Sequence, residues 1–159
     1  MKLLIIDGNS ILNRQFYGIR PLSNKEGFPT NAIFGFVNVI AKQLETLEPD
    51  YAAVAFDLKA PTFRHLEYAE YKAGRKGMPD ELFMQMPYIK KILSAMGCKV
   101  IECEGYEADD ILGTLAAKAC AEGAECVVVT GDRDSLQLVN DWVTVHLATT
   151  KETIIKVKR

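Results

Sequence analysis

Apolar residues fall into two patterns along this chain. The first is a short, unbroken apolar run that ends in aspartate: Leu3-Leu4-Ile5-Ile6-Asp7, Ala52-Ala53-Val54-Ala55-Phe56-Asp57 and Cys126-Val127-Val128-Val129-Thr130-Gly131-Asp132, the last followed by Arg133-Asp134. Unbroken runs of this length read as strands of a parallel sheet covered on both faces. The pattern predicts strands over 2–7, 52–57, 99–103 and 125–130. The second is a helical stripe: Asn31, Ile33, Phe36, Val37, Ile40, Leu44 and Leu47 recur at helical spacing and stop before Pro49. Pro79-Asp80 through Leu82, Met86, Ile89, Leu93 and Met96 repeats it. Pro87 is expected to break or kink that helix, and Gly97 suits its C-terminal cap. A third helix, 107–121, buries Ile111, Leu112, Leu115 and Ala119, and 134–139 is a short one. Strand and helix alternate as in a mostly parallel α/β sheet flanked by helices. Two β-rich runs, 142–147 and 153–157, close the chain, and the five residues 148–152 would join them as a C-terminal β-hairpin.

Open α/β sheets place their sites beyond the carboxyl ends of the strands, so parallel packing would bring Asp7, Asp57, Asp132 and Asp134 to one edge. Glu107, Asp109 and Asp110 open a helix and would make seven carboxylates. Each has an ordinary reading. Asp7-Gly8 is turn chemistry, Asp57 and Asp134 suit turns or helix caps, and acidic residues in a first helical turn are favoured by the helix dipole. Helical spacing pairs Glu107 with Asp110. Asp109 points the same way only if Glu107 sits at the cap with non-helical dihedrals, as Gly105 allows. Such crowding is hard to sustain without cations, and an all-oxygen donor set with neither His65 nor cysteine in a ligand pattern selects Mg²⁺ or Mn²⁺ over zinc. Two such ions about 4 Å apart stabilise the attacking and leaving oxygens of a phosphoryl displacement, so phosphodiester hydrolysis is the natural chemistry.

Composition narrows the classes. With 159 residues and 48% apolar content, the chain suits one domain with a filled core. A formal charge of −2 argues against nonspecific attraction to polyanions over the whole surface, while leaving room for a local basic patch. There is no signal-like segment at Lys2 and no apolar run of membrane-spanning length, so a cytoplasmic protein with no membrane partner is expected. Cys98, Cys103, Cys120 and Cys126 lack the paired spacing of a zinc site and read as reduced thiols.

The local patch lies between Asp57 and Pro79, where Arg64, Tyr68, Tyr71, Lys72 and Arg75 fall at helical spacing and would share one face. Cations mixed with aromatic rings suit phosphate contact plus stacking on unpaired bases, and equally an ordinary solvated helix.

Taken together, Asp7-Gly8-Asn9-Ser10, Phe56-Asp57-x-Lys59-x-Pro61-x-Phe63-Arg64, Tyr71-Lys72-Ala73-Gly74-Arg75, Gly105-Tyr106-Glu107-Ala108-Asp109-Asp110 and Thr130-Gly131-Asp132-Arg133-Asp134 closely resemble the 5′ nuclease domain of bacterial DNA polymerase I, in order along nearly the whole chain. The resemblance implies a Rossmann-like, PIN-like fold and a two-metal 5′-3′ exonuclease and flap endonuclease acting on DNA with a 5′ flap, nick or free 5′ end. It implies Asp7, Asp57, Glu107 and Asp109 as first-metal ligands or their immediate neighbours, with Asp110 close by, and Asp132 and Asp134 as second-metal ligands. Lys72 and Arg75 would hold the scissile phosphate, and Tyr71 would stack nearby. The products would carry a 5′-phosphate and a 3′-hydroxyl.

Members of that family continue into a helix-hairpin-helix DNA-binding element, preceded by a glycine-aspartate motif that completes the second metal site. Here the sequence stops at Arg159. The expectation is that residues 1–159 form an incomplete N-terminal catalytic domain, a fragment of a longer protein that continues into a polymerase. Two rivals stand beside it: an RNA-cutting nuclease of the same fold, and a noncatalytic nucleic-acid-binding module whose carboxylates are caps. A phosphomonoesterase is disfavoured, since the first strand ends Asp-Gly-Asn-Ser rather than Asp-x-Asp.

Overall fold

The computed structural model describes residues 1–58, 62–74, 76–148 and 153–157. Among the described residues, five α-helices and one 3-10 helix accompany one six-stranded sheet in the order β3-β2-β1-β4-β5-β6, with β1 Lys2–Asp7, β2 Tyr51–Ala55, β3 Lys99–Ile101, β4 Glu125–Thr130, β5 Val143–Leu147 and β6 Thr153–Ile155. All pairs are parallel except β5 with β6. The expected mostly parallel sheet and terminal hairpin are therefore present, while most of the 148–152 connection lies outside the described residues.

Both faces of the sheet are covered, which is why β1 and β4 read as continuous apolar runs. Leu4, Ile6, Val127 and Val129 pack with α1 Gly8–Gly18, α2 Asn31–Leu47 and α4 Asp80–Ala95 on one face. Ile5, Cys126 and Val128 pack with α5 Ala108–Ala121 on the other. From β1 the chain steps to β2 and β3 on one side, then crosses to β4 and β5 on the other. The topological switch point therefore falls between Asp7 at the end of β1 and Thr130 at the end of β4.

Several expectations change. Helix α1 follows β1 directly and was not anticipated, because Asp7-Gly8 reads as a turn and the apolar positions Ile11, Leu12 and Phe16 are too few to declare a stripe. Gly8 itself answers to packing: a Cβ there would lie 2.5 Å from Cε1 of Phe56 and 2.7 Å from the Ala55 carbonyl oxygen. Helix α4 runs through Pro87 without ending. Pro87 is on its exposed side, where water can take up the ladder bond that the missing N–H cannot make. Gly97 follows α4 with φ +82°, as a left-handed C-terminal cap requires.

The largest correction concerns the basic and aromatic face. Helix α3 covers only Phe63–Glu67, Tyr68 is extended, residues 69–74 are turns and Lys72 has φ +58°. Helix α3 buries none of its residues, so no apolar face supports its extension beyond one turn. Arg64, Tyr68, Tyr71 and Lys72 therefore do not share one helical face; Arg75, like Lys59 and Pro61, lies outside the described residues. The short helix near 134–139 is a 3-10 helix, Arg133–Leu138, capped by Asp132 rather than Asp134. The four cysteines are free thiols: Cys98 and Cys126 are buried, Cys120 is half-buried in α5 and Cys103 is exposed.

Candidate acidic site at the carboxyl edge of the sheet

Each acidic strand end is held by the start of another element. Asp7 caps α1, its Oδ1 accepting from Ser10 N–H at 3.1 Å, while its Oδ2 accepts from the Thr130 hydroxyl at 2.8 Å. The same hydroxyl oxygen accepts from Asp132 N–H at 3.0 Å, and Ser10 Oγ accepts from Gly131 N–H at 2.9 Å. The ends of β1 and β4 are thus stitched together. On the other side, Asp57 N–H donates to Asn9 Oδ1 at 2.8 Å, and Asp57 Oδ1 accepts from Ala108 N–H at 2.6 Å, which docks the start of α5 against the end of β2. Glu107 takes the cap position of α5 with extended dihedrals, φ −91° and ψ 165°, the geometry that its alignment with Asp109 demands, and its N–H donates to Asp110 Oδ2 at 2.9 Å.

The charges of Asp7, Asp57, Glu107, Asp109 and Asp132 act on one another across this edge. Asp7 is only 4% exposed. Burial lifts its pKa from 3.8 to about 6 against the opposing Ser10 and Thr130 hydrogen bonds, and the charges of Asp109 and Asp57 push the same way. Asp109 is exposed as a residue, yet partial loss of water around its carboxyl, then the charges of Asp132, Asp57 and Glu107, also raise its pKa.

Among the described residues, two of the seven carboxylates, Glu107 and Asp110, are paired with cations. Arg64 donates from Nη1 to Glu107 Oε2 at 3.0 Å and to Asp110 Oδ2 at 2.9 Å, and from Nη2 to Asp110 Oδ1 at 2.8 Å. Lys72 Nζ donates to Glu107 Oε1, and the Tyr71 hydroxyl to Glu107 Oε2 at 3.1 Å. Burial works against the ionised Glu107, but these donors outweigh it and hold its carboxyl below the usual range. Arg64 does the same, first by its hydrogen bonds, for Asp110. The Tyr71 ring meets His65 edge-on at 5.2 Å. Tyr68 is exposed and takes no part, and Asp134 is exposed on the 3-10 helix. Asn9, Ser10 and Thr130, which position the acidic ends, were not singled out from the sequence as site residues; their proximity to Asp7 and Asp132 in the motifs was the available signal.

Among the described residues, no three histidine, cysteine, aspartate or glutamate side chains close around a common point as a ready-made metal cage. The donor set nonetheless fits a hard divalent cation in its chemistry, and the fit rests on the raised pKa values of Asp7 and Asp109: a cation is what would relieve them.

Acidic strand ends gathered at the switch point of a parallel α/β sheet define a class that the comparisons narrow. The chain belongs to the family described as 5′-3′ exonuclease, N-terminal resolvase-like domain, whose model matches residues 2–159. It is 52% identical over 151 residues to DNA polymerase I of Caldicellulosiruptor bescii, covering 95% of this chain and 18% of that protein. It is 46% identical over 146 residues to DNA polymerase I of Bacillus subtilis, covering 92% of this chain and 17% of that protein. The chain thus spans under a fifth of the length of these relatives. In fold it is similar to the bacteriophage T5 5′-exonuclease with bound zinc, at TM-score 0.72 and 18% identity over 98% of this chain and 58% of the other. A T5 D15 flap endonuclease in a pseudo-enzyme-product complex with DNA and metal ions gives TM-score 0.71 and 19% identity at the same coverage.

Proposed function

We propose that residues 1–159 are the N-terminal part of a divalent-metal-dependent 5′-3′ exonuclease and 5′-flap endonuclease of DNA, within a longer DNA polymerase I-type protein that works in replication and repair. The observation that carries this reading is the crowding of Asp7, Asp57, Glu107, Asp109 and Asp132 at one sheet edge, at the expense of a buried carboxyl pushed up to about 6. Family membership and the DNA polymerase I relatives support it. The substrate is DNA with a 5′ flap, nick or free 5′ end, and the site is cytoplasmic.

Mg²⁺ or Mn²⁺, two ions per site, would be held by Asp7, Asp57, Glu107 and Asp109 with Asp110 nearby, and by Asp132 and Asp134; bound there, they would supply a nucleophilic water and neutralise charge on the phosphate. The chain's own groups do the rest. Thr130, Ser10 and Asn9 fix the acidic ends by hydrogen bonds made to backbone N–H groups and to Asp7, so the carboxylates are aimed before substrate arrives. Lys72, with Arg75, exchanges its carboxylate for the scissile phosphate and orients it. Arg64 keeps Asp110 and Glu107 ionised and in place.

A noncatalytic nucleic-acid-binding module is the second reading, favoured by the ion pairs on Glu107 and Asp110 and by the lack of a ready-made cage among the described residues. Incubation with 5′-flap DNA at low salt in Mg²⁺ and in Mn²⁺, alongside Asp109→Ala, separates them. Metal-dependent cutting lost in the variant supports the nuclease; DNA binding indifferent to EDTA and to Asp132→Ala, with no cutting even when the chain is extended beyond Arg159, supports the module.

A further inference from the structure

Each oxygen of the Glu107 carboxylate already holds a cationic donor. Its Oε2 accepts from Arg64 Nη1 at 3.0 Å and from the Tyr71 hydroxyl at 3.1 Å, and its Oε1 accepts from Lys72 Nζ. A metal ligand must turn a lone pair to the ion, whereas an ammonium has donors only. Lys72 and a divalent cation therefore cannot share one oxygen without placing like charges a few Å apart.

The two cations on Glu107 are not equivalent. Arg64 is also held by Asp110, at 2.9 Å and 2.8 Å, and keeps those bonds if Glu107 turns away. Lys72 has no second carboxylate within ion-pair distance among the described residues. Its charge nonetheless acts on Asp57, Asp109 and Asp110 as well as Glu107, so this ammonium offsets part of their mutual repulsion, as a bound ion would.

The backbone around Lys72 is suited to letting go. Lys72 has φ +58°, a left-handed conformation that a lysine holds only under constraint, and its bond to Glu107 supplies one. From residue 66 to residue 74 every position is exposed except Tyr71 and Lys72, the two that donate to Glu107. The N–H groups of Tyr68, Tyr71 and Ala73 bond to the carbonyls of Arg64, Tyr68 and Glu70, so these bonds survive a movement of the turn as a whole.

Resting on the reading of this edge as a divalent-cation site, we infer that Lys72 is the internal counter-ion of that site and yields Glu107 to an incoming ion. Lys72 steadies the metal-free edge, and its ammonium becomes free for a phosphate only once an ion has taken its place. Metal and phosphate thereby favour one another through Lys72, since a phosphate that receives the displaced ammonium lowers the cost of displacing it.

The test measures Mn²⁺ binding to the 159-residue chain by electron paramagnetic resonance without DNA, in the wild type, Lys72→Met and Lys91→Met. Lys72→Met should bind its tightest ion about tenfold more strongly than the wild type. Lys91→Met, which removes an exposed ammonium of α4, should match the wild type. The wild type gives a second readout through its rates of acetylation by an N-hydroxysuccinimide ester, followed residue by residue in a mass spectrometer. Lys72 should react several-fold faster in saturating Mn²⁺ than in EDTA, with Lys91 unchanged. Equal Mn²⁺ affinity in the wild type and Lys72→Met, or Lys72 labelling indifferent to Mn²⁺, overturns the counter-ion role and leaves the cation site intact. Absence of saturable Mn²⁺ binding by all three proteins overturns the cation site and the inference with it.

Discussion

The Thr130 hydroxyl donates to Asp7 Oδ2 at 2.8 Å, and this single bond joins the ends of the two strands that flank the topological switch point. Because Thr130 Oγ1 also accepts from Asp132 N–H, one hydroxyl ties the buried carboxylate of β1 to the acidic turn after β4. Thr130 is itself fully buried. Replacing it by valine keeps the shape and strands both partners. Thr130→Val should destabilise the protein by about 1–3 kcal/mol, the usual cost of buried polar groups left unsatisfied, and should raise the Asp7 pKa further. Chemical denaturation and NMR titration of the Asp7 carboxyl check the two parts; an unchanged Asp7 pKa would mean the bond does not act on the charge.

Asp7 should be a stability liability without metal. An acid whose pKa is raised on folding holds its proton more tightly when folded, so its cost is fully present above about pH 6, fades as pH falls from there towards its ordinary value of 3.8, and is gone below it. The shift corresponds to roughly 3 kcal/mol at most. Asp7→Asn should therefore raise the melting temperature by several degrees at pH 7.5 in EDTA and by little at pH 4. Saturating Mn²⁺ should reverse the order, since only the wild type gains the full stabilisation of a bound ion. Thermal scans at both pH values measure this directly.

Arg64 acts with the opposite sign. Glu107 and Asp110 have lowered pKa values, so their contribution is present above the ordinary carboxylate range and lost as pH falls through the folded-state values. Arg64→Met should remove part of that contribution. Its partial exposure limits the loss to about 1 kcal/mol at neutral pH, and the gap between variant and wild type should close towards pH 3. A gap that is constant with pH would assign Arg64 to packing alone.

Gly8→Ala should be costly. The added methyl would press on the Ala55 backbone as well as the Phe56 ring, and overpacking against backbone costs typically 1–3 kcal/mol. Since Gly8 opens α1 directly after Asp7, the substitution should also weaken metal binding. Denaturation midpoints with and without Mn²⁺ report both effects.

The acidic edge was legible because strands covered on both faces must be apolar, so the Asp7, Asp57 and Asp132 ends stand out sharply. The αβ alternation followed from the same contrast. What the sequence hid was contact across it. Strand order decides that Thr130 meets Asp7 and that Ser10 reaches Gly131, and nothing in local pattern encodes strand order. Helix α1 escaped for a local reason: its cap, Asp7, is also the end of a strand. The 64–75 stretch misled in the other direction, since helical spacing of Arg64, Tyr71 and Lys72 assumed a continuous helix, whereas the two cations, Arg64 and Lys72, reach Glu107 from a five-residue helix and a left-handed turn.

The central claim is that the carboxyl edge of this sheet takes divalent cations. Titration of Mn²⁺ followed by electron paramagnetic resonance, on the wild type and Asp109→Asn with the Arg64 pairs intact, counts bound ions without requiring cleavage. The account predicts saturable binding of up to two ions by the wild type, with at least one site lost or weakened about tenfold or more in Asp109→Asn. Absence of saturable Mn²⁺ binding at millimolar concentrations, or binding identical in the two proteins, would contradict it.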